Sequence, residues 1–317
     1  MIEEKEGSES MERTLVIGST CVDVILTVER LPKTAEDVHI LAQSMALGGC
    51  AFNAANILRQ AGAAVTFVTP VGSGMYGELT ARGLAERGFC DAVPVPEENG
   101  CCYCLVEPGG ERTFLSYHGA EYTFAPSWLT KYDEQSFARV YVCGLEVEGE
   151  NGEELVSYLA AHPEREIWFA PGPRVLKIAP QRLRRLLSLL PVVHLNGQEA
   201  LALSSFLAED GQRAANVAAA AADIQAVTQK AVIVTLGEQG AYGLEQDGVD
   251  WYEAGRAIGA VDAIGAGDAH IGTILAGLAS GLPLRAAVAA ANQAAAAVVG
   301  QKGASLPEDY FQNHPLA

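Results

Sequence analysis

The sequence predicts an α/β fold with a mainly parallel central sheet and a small second β-sheet. From Val140 onward, short apolar strands alternate with helices of about ten residues, which is typical of parallel βαβ units. Glycine or polar residues follow each strand, which places them along one edge of the sheet. A hairpin pattern around Pro108-Gly109-Gly110 indicates that a separate small sheet interrupts the alternation.

The composition indicates a globular chain that binds neither membrane nor nucleic acid. Its 317 residues, 49% hydrophobic and 19% charged, suffice for one large domain or two small ones. No apolar run reaches the roughly 18 residues that cross a bilayer. The formal net charge of −18 argues against a nucleic-acid partner, because phosphate neutralisation needs clustered Lys and Arg. It still allows a small phosphorylated ligand, which needs only a local positive field.

The seven cysteines include no C-x-x-C pair, and we expect free thiols in a reducing cytoplasm. Cys101, Cys102 and Cys104 cluster, but on a strand Cys101 faces away from the other two, and further zinc ligands are missing nearby. Residues 1–10 are acidic and polar and lack the apolar core of a signal peptide. We therefore expect a disordered leader and a cytoplasmic protein.

The chain opens with a buried strand at Thr14–Gly18, followed by β-type segments at Val22–Val28 and Val38–Ala42. Asp23 lies just past the first strand, where an open parallel sheet collects its ligands, although a loop carboxylate can also serve a local turn. Next, the glycine-rich stretch Gly48–Asn56 enters a helix. Its Asn53 and Asn56 share a face, where carboxamides suit either sugar hydroxyls or capping.

A G-x-G-x-x-G pattern at Gly72–Gly77 follows the strand Val65–Val71 and precedes a helix near Leu79–Arg87. With Asp91 further on, it resembles a dinucleotide-binding fingerprint and supports a nicotinamide-dependent oxidoreductase as an alternative. Two observations weaken this alternative. The pattern follows the second βα unit, and Asp91 precedes its apolar segment, whereas a ribose-binding acid belongs at a strand's end.

The second half continues the alternation of strands and helices. The predicted strands are Val140–Cys143, Ile167–Ala170, Val192–Leu195 and Ala231–Val234, and the predicted helices are Glu153–Ala161, Gln181–Leu190 and Ala214–Val227. The polar segments that follow strands are Gly144–Glu146, Pro171–Arg174, Asn196–Glu199 and Thr235–Gly240. We expect these segments to meet at one edge of the sheet.

The stretch Gly265-Ala266-Gly267-Asp268 leads into an apolar run with helical spacing that ends near Leu278. Small residues let backbone amides approach a ligand, and the start of a helix attracts anions. Asp268 there is either a helix cap or a general base beside a bound phosphate. No P-loop, G-x-S-x-G or metal-spaced histidine pair competes with this stretch.

Taken together, these motifs resemble the ribokinase (PfkB-type) family of carbohydrate and nucleoside kinases over about Thr14 to Pro307. The N-terminal signature is similar to Gly48-Gly49 through Asn53, and Asp262–Asp268 is similar to the family's D-T-x-G-A-G-D. Asn196–Glu199 matches its N-x-x-E, and Thr235–Gly240 matches its nucleotide loop. The resemblance implies a three-layer α/β/α sandwich over residues 11–317, with lid segments at about 20–47 and 98–120.

The resemblance also implies a role for each motif. Asp268 would be the base, with the amides of Gly265, Ala266 and Gly267 as an anion hole for the γ-phosphoryl group. ATP would be bordered by Asn196, Thr235, Gly237, Gly240 and Asn292, and Mg²⁺ would be held through waters by Asn196 and Glu199. The acceptor would contact Asp23, Gly48, Gly49, Asn53 and Glu146. A monovalent cation such as K⁺ would lie near Asp262 and the carbonyls of Ile264, Val298 and Gly303.

Four positions depart from the family pattern. Ala263 replaces a common Thr, Ala170 replaces a common Asp, and His270 stands where Phe is usual. We interpret His270 as a packed helix residue in preference to a catalytic residue. Cys50 lies beside the sugar-binding glycines at a variable position, so it can shape the pocket.

These observations predict an ATP-dependent kinase that phosphorylates a hydroxymethyl group on a small sugar. A ribose-like furanose is slightly favoured because Gly144–Glu146 resembles a sugar-contacting segment, and a nucleoside is the alternative because Phe114–Tyr122 could pack against a base. A catalytically silent sugar sensor is a third hypothesis, which an intact Asp268 disfavours. Small or apolar residues of the lid predict a homodimer through it; they are Cys102, Cys104, Val106, Phe114 and Leu115.

Overall fold

The computed structural model describes residues 12–109, 111–133, 135–208, 214–259, 261–301 and 303–316. Its strands form a nine-stranded sheet and a separate four-stranded sheet. The expectation of a disordered leader at residues 1–10 lies outside these ranges. Within them, no helix combines the length and apolarity that a membrane crossing requires.

The central sheet confirms the predicted parallel architecture. Its strands are β1 (Thr14–Ile17), β4 (Val65–Ser73), β5 (Ala92–Glu98), β8 (Arg139–Cys143), β9 (Glu166–Ala170), β10 (Val192–Asn196), β11 (Val232–Thr235), β12 (Gly240–Leu244) and β13 (Asp250–Ala254). Their order in the sheet is β13-β12-β11-β10-β9-β8-β1-β4-β5, with parallel pairing from β11 to β5 and an antiparallel β12–β13 hairpin at one edge.

Helices cover both faces of this sheet, so alternate residues of a strand are buried in two different apolar clusters. In β1, Leu15 and Ile17 join one cluster, whereas Val16 joins the other. On the first side lie α3 (Gly144–Glu148), α4 (Gly152–Ala161), α5 (Pro180–Leu187), α6 (Gly197–Leu207) and α7 (Val217–Thr228). On the second lie α1 (Cys50–Gln60), α2 (Gly74–Glu86), α8 (Ala266–Ala279) and α9 (Leu284–Val299), with α10 (Tyr310–Asn313) packed near the chain's end.

The small sheet, called the lid sheet below, comprises β2 (Cys21–Val28), β3 (Ile40–Gly48), β6 (Cys101–Val106) and β7 (Arg112–Tyr117). Its order is β3-β2-β6-β7, with β2 and β6 parallel and the outer pairs antiparallel. Buried Glu121 ties its base to the larger body, because its carboxylate accepts hydrogen bonds from the amides of Gly100 (2.8 Å) and Gly119 (3.0 Å).

Several predicted boundaries were wrong for local reasons. The strand predicted at Val38–Ala42 begins at Ile40 and continues to Gly48 through largely exposed residues, which hid its alternation. The helix predicted to end at Leu190 ends at Leu187, and Leu190 adopts a left-handed φ of 58°. Helix α6 was not predicted, and neither was the β12–β13 hairpin, whose turn contains Gly248 with φ 83°.

Candidate active site

Two cavities meet at the start of α8, and both are lined by Gly267. The lid-side cavity has a volume of about 500 Å³ and lies between the lid sheet and the ends of β8 and β9. The hairpin-side cavity has a volume of about 400 Å³ and lies between α8, α9 and the β12–β13 hairpin. The carboxyl ends of the strands therefore bring the predicted segments together at one edge of the sheet.

Asp268 lies in the first turn of α8 and lines the lid-side cavity. The helix has Gly265 as its N-cap and no side-chain capping bond, so Asp268 does not cap it. Asn53 Nδ2 from α1 instead donates to Asp268 Oδ2 at 2.8 Å and fixes the carboxylate. Burial raises the pKa of Asp268 to about 6, although the bonds from Asn53 and Cys50 lower it.

The backbone just before Asp268 requires a glycine. Gly265 adopts φ 73°, and a Cβ there would overlap Ala304, so other residues are excluded on two grounds. The amide N–H groups in the first turn of a helix have no intrahelical acceptors, and the helix dipole is positive at this end. The segment Gly265–Gly267 therefore lies at a helix start where an anion site can form, with one long bond from the Ala266 amide to the Ala263 carbonyl at 3.4 Å. The anion hole itself stays a prediction.

Polar atoms without partners occur in the wall of the lid-side cavity. Asn53 and Ser19 line this cavity, and Asn53 Oδ1 and Ser19 Oγ are buried and have no hydrogen-bond partner. Buried polar atoms are normally paired, so these two atoms indicate the position of a polar ligand. Glu146 Oε1 accepts from the Ser19 amide at 2.8 Å, so this side chain supports the cavity wall from behind and does not itself line the cavity.

Asp23 faces the same cavity from the lid strand β2. Burial raises its pKa to about 6, while a hydrogen bond from Cys21 Sγ at 3.7 Å lowers it. Gly48 does not line the cavity, but a Cβ there would overlap the Asp23 carboxylate, which explains the glycine. Gly49 lines the cavity directly, with φ 103°.

The predicted free thiols are confirmed for all seven cysteines, and five of them line the lid-side cavity. Cys50 lies beside Asp268. A hydrogen bond from Cys143 lowers the pKa of the Cys50 thiol, but the Asp268 charge and burial outweigh it and raise that pKa. Burial also raises the pKa of Cys143 and Cys21. Thiols of this kind are weak nucleophiles and act as a weakly polar cavity wall.

The hairpin-side cavity has a buried hydrogen-bonded chain behind it. Asn292 Nδ2 donates to the carbonyls of Glu253 (3.1 Å) and Ala254 (3.3 Å), so its Oδ1 faces His270. Burial lowers the pKa of His270 to about 4, so its neutral ring donates from Nε2 to Asn292 at 3.1 Å and accepts at Nδ1 from His194 at 2.8 Å. Asn292 thus borders the cavity, but both ends of its side-chain amide are already hydrogen-bonded within the protein.

Thr235, Gly237 and Gly240, which the family resemblance assigns to the nucleotide, all line the hairpin-side cavity, and their contact with a nucleotide stays a prediction. Gly237 and Gly240 adopt φ values of 61° and 109°, a region that favours glycine. His270 is packed in α8, as expected, with 2% of its surface exposed. Its bonds to His194 and Asn292 give it a structural task that the sequence pattern did not reveal.

Asn196 and Glu199 form a capping box at the start of α6. Asn196 Oδ1 accepts from the Glu199 amide at 2.9 Å, and the Glu199 carboxylate accepts from the amide (3.0 Å) and side chain (2.7 Å) of Asn196. Both residues line a small cavity with Asp268 and Thr235. The carboxylate oxygens keep further lone pairs, which fits an Mg²⁺ ion bound through water.

No group of three or more His, Cys, Asp or Glu side chains with metal-binding geometry occurs in the described ranges. An Mg²⁺ ion near Glu199 would therefore take its other ligands from nucleotide phosphates and water, as this hard cation usually does. Asn196 and Glu199 would orient its water shell at the side of the cleft that faces Asp268.

The G-x-G-x-x-G segment does not form a dinucleotide site. Asn99 Oδ1 accepts from the Gly72 amide at 2.6 Å, and a Cβ at Gly72 or Gly77 would overlap neighbouring backbone carbonyls. The chain itself thus fills the space that a pyrophosphate would need. Asp91 accepts a hydrogen bond from Tyr132 Oη and does not face this turn.

Comparison with known proteins decides the family. The sequence profile described as pfkB family carbohydrate kinase matches residues 11–309. The chain belongs to the PfkB family of carbohydrate kinases. It is therefore an ATP-dependent sugar kinase by reaction class, and the nicotinamide-dependent alternative has no support.

Individual relatives agree with this assignment. The protein of Escherichia coli strain K12 named as uncharacterized sugar kinase YegV is 34% identical over 301 residues, which cover 92% of this chain and 90% of that protein. A ribokinase of Staphylococcus aureus is 29% identical over 274 residues, covering 84% and 86%. The crystal structure of a Thermotoga maritima ribokinase superposes with a TM-score of 0.82 at 22% identity, covering 96% of this chain and 99% of that one.

Proposed function

We propose that this kinase transfers the γ-phosphoryl group of ATP to a hydroxymethyl group of a small sugar, with Asp268 as the base. The observation that carries the proposal is the position of Asp268, which lines the lid-side cavity, is held by Asn53 and directly follows Gly267, the residue that lines both cavities. A carboxylate with a pKa of about 6 is ionised at neutral pH and remains basic enough to accept a hydroxyl proton.

In this proposal each cavity holds one substrate. ATP occupies the hairpin-side cavity, with Gly237, Gly240 and Asn292 along its length and its phosphates directed to the first turn of α8. The acceptor occupies the lid-side cavity, where Asn53 Oδ1 and Asp23 accept hydrogen bonds from its hydroxyls. The amides of Gly265, Ala266 and Gly267 stabilise charge on the transferring group, which supplies most of the catalysis in phosphoryl transfer.

A furanose is the favoured acceptor, and a nucleoside is the alternative. The polar atoms of Asn53, Ser19 and Asp23 match a ring that carries several hydroxyls, and a relative at 29% identity is named ribokinase. The nucleoside alternative has its own observation. The cavity of about 500 Å³ extends to an aromatic pair, His118 and Tyr122, whose ring centroids are 3.5 Å apart and could pack against a base.

A screen of acceptors tests the proposal. ADP release would be measured with pentoses, hexoses, sugar phosphates and nucleosides, each with a control that lacks acceptor. We expect at least one furanose or nucleoside to raise the rate well above the control. In parallel, ATP with Mg²⁺ should raise the melting temperature and NAD should not. Stabilisation by NAD alone would contradict a kinase.

We also propose that two copies pair through their lid sheets in a reducing cytoplasm. Both edge strands of the lid sheet expose apolar side chains; they are Ile40, Leu41 and Met45 on β3, and Phe114, Leu115 and Tyr117 on β7. The seven free thiols suit a reducing compartment. Light scattering at micromolar concentration should give twice the chain mass, and a monomer would refute the pairing.

A further inference from the structure

Buried Asp262 begins the loop that leads to the anion hole, and three donors surround its carboxylate. Oδ1 accepts from the Ile264 amide at 2.9 Å, and Oδ2 accepts from the Gly303 amide at 2.8 Å. The third donor is Arg112 of the lid sheet, whose Nη2 lies 2.6 Å from Oδ2. The carboxylate is thus the point where the lid, the anion-hole loop and the segment after α9 meet.

Arg112 reaches this point from the cavity-facing side of β7. Alternate residues of a strand share a face, so Arg112 lies on the same side as Phe114 and Ser116, which both line the lid-side cavity. Only 17% of its side chain is exposed, and 3% of that of Asp262. The pair is therefore a buried link and not a surface ion pair, so solvent screens it little.

The monovalent cation that the family resemblance implies does not fit here. Its expected ligands were Asp262 and the carbonyls of Ile264, Val298 and Gly303. The Asp262 carboxylate is already engaged by Arg112 and two amides, and the Val298 carbonyl accepts from the amides of Gly300 and Gln301. A K⁺ ion at this point would also lie next to a buried guanidinium charge.

We propose that Arg112 supplies, from the lid, the positive charge that a monovalent cation would supply at Asp262, so that a lid residue completes the anion-hole loop. The inference rests on the proposed function, because it concerns the same anion hole. Arg112 lines neither cavity, so it is a positioning residue that acts through Asp262. The wild-type enzyme then needs no K⁺.

The electrostatics of the lid-side cavity agree with this role. Burial is the main influence on the Asp23 carboxyl and raises its pKa to about 6, and the charge of Arg112 acts in the opposite direction. One guanidinium thus acts on an acceptor-side carboxylate and on the anion-hole loop together.

The first test compares chloride salts of K⁺, Na⁺ and choline at equal ionic strength on the wild-type protein. We expect the turnover number to differ by less than about twofold between them, and the melting temperature to show no K⁺-specific rise. Activation by K⁺ of about tenfold over choline, or a K⁺-specific stabilisation, would overturn the proposal. The melting measurement needs no acceptor, so it remains decisive even if the proposed function fails.

The second test removes the guanidinium with Arg112→Gln. We expect the turnover number in choline to fall about tenfold or more, with the KM for ATP nearly unchanged, because a positioned charge near the anion hole is lost. Potassium should then restore part of the rate and raise the melting temperature of this variant alone, since Asp262 is freed. Arg112→Lys should retain more activity than Arg112→Gln.

The matched control is Arg30→Gln, which removes an exposed lid arginine that pairs with Glu36 within the same β2–β3 connection. It should behave as wild type in all three salts. If Arg112→Gln also keeps the wild-type turnover number and gains no response to K⁺, the ion pair is only a lid contact and the proposal is wrong. Loss of stability without a response to K⁺ would overturn it as well.

Discussion

The two cavities share Gly267 but differ in how their polar groups are satisfied. Behind the hairpin-side cavity, Asn292, His270 and His194 form a closed chain of hydrogen bonds. In the wall of the lid-side cavity, Asn53 Oδ1 and Ser19 Oγ have no hydrogen-bond partner. One side is thus rigid before any ligand binds, and the other offers groups that a ligand must satisfy.

This difference predicts that substrate specificity resides mainly in the lid-side cavity. A nucleotide can be held by backbone conformation, which glycines at Gly237 and Gly240 set with little help from side chains. An acceptor is recognised by buried side-chain atoms, and leaving such atoms unpaired costs about 1–3 kcal/mol each. Acceptors that lack the matching hydroxyls should therefore be rejected more strongly than altered nucleotides.

The largest expected effect comes from Asp268→Asn. The change keeps the shape and allows a hydrogen bond with Asn53, but it removes the base, so the turnover number should fall about 10²–10⁴-fold. The rise in melting temperature with ATP and Mg²⁺ should persist. Asp309→Asn, which alters an exposed carboxylate near α10, should leave the rate unchanged. A higher KM with a normal turnover number would mean that Asp268 only binds the acceptor.

The next effect tests the geometry that both cavities share. Gly265→Ala adds a Cβ that overlaps Ala304 at a φ of 73°, so the anion-hole amides should shift and the turnover number should fall about a hundredfold. Gly281→Ala carries similar backbone strain at φ 87° but has no atom within 4 Å of the added Cβ. Steady-state rates for the two variants would be compared, and equal losses would show that strain alone is responsible.

The pH dependence of activity should be set by the two carboxylates of the lid-side cavity. Asp268 must be ionised to accept a proton and Asp23 to accept a hydroxyl bond, and burial raises both pKa values to about 6. Activity is then complete above pH 7 and lost as the pH falls. At pH 5, kcat/KM for the acceptor should be about a hundredfold lower, with a logarithmic slope that approaches two. In Asp23→Asn the slope should approach one, and an unchanged slope would remove Asp23 from this role.

The smallest effects should separate the two substrates. His270→Ala removes the partner of Asn292 Oδ1 and of His194 Nε2, so the KM for ATP should rise about tenfold while the KM for the acceptor stays constant. Asn53→Ala should raise the KM for the acceptor about tenfold while the KM for ATP stays constant. It should also move the acid limb of the pH profile to higher pH, because the hydrogen bond from Asn53 lowers the pKa of Asp268. If both variants changed both KM values equally, the two cavities would not act separately.

Much of the fold and part of the site could be predicted from the sequence. Strands such as Val140–Cys143 are continuous apolar runs, and the residues that follow parallel strands must share an edge. Asp268 and Asn53 both lie in glycine-rich helix entries, so local pattern made them candidates, and the family resemblance gave each a role. Their roles as base and acceptor contact stay predictions.

The rest depended on contacts that no local pattern encodes. Arg112 and Asp262 meet only because the lid sheet closes on the loop before α8, and an arginine in a hairpin gives no sign of such a partner. His194 lies on β10 and His270 lies on α8, and the local sequence around each one indicates only a packed residue. Glu146 was predicted to contact the acceptor, but it binds the Ser19 amide behind the cavity wall.

The phosphorus NMR spectrum of the product formed from ATP, Mg²⁺ and the best acceptor of the screen shows which hydroxyl receives the phosphoryl group. Transfer to a hydroxymethyl group places two equivalent or nearly equivalent protons three bonds from phosphorus, so a new phosphomonoester signal should appear as a triplet without proton decoupling. Its intensity should match the ADP formed, and Asp268→Asn should not produce it. A doublet would assign the reaction to a secondary hydroxyl, and inorganic phosphate alone would contradict transfer to an acceptor.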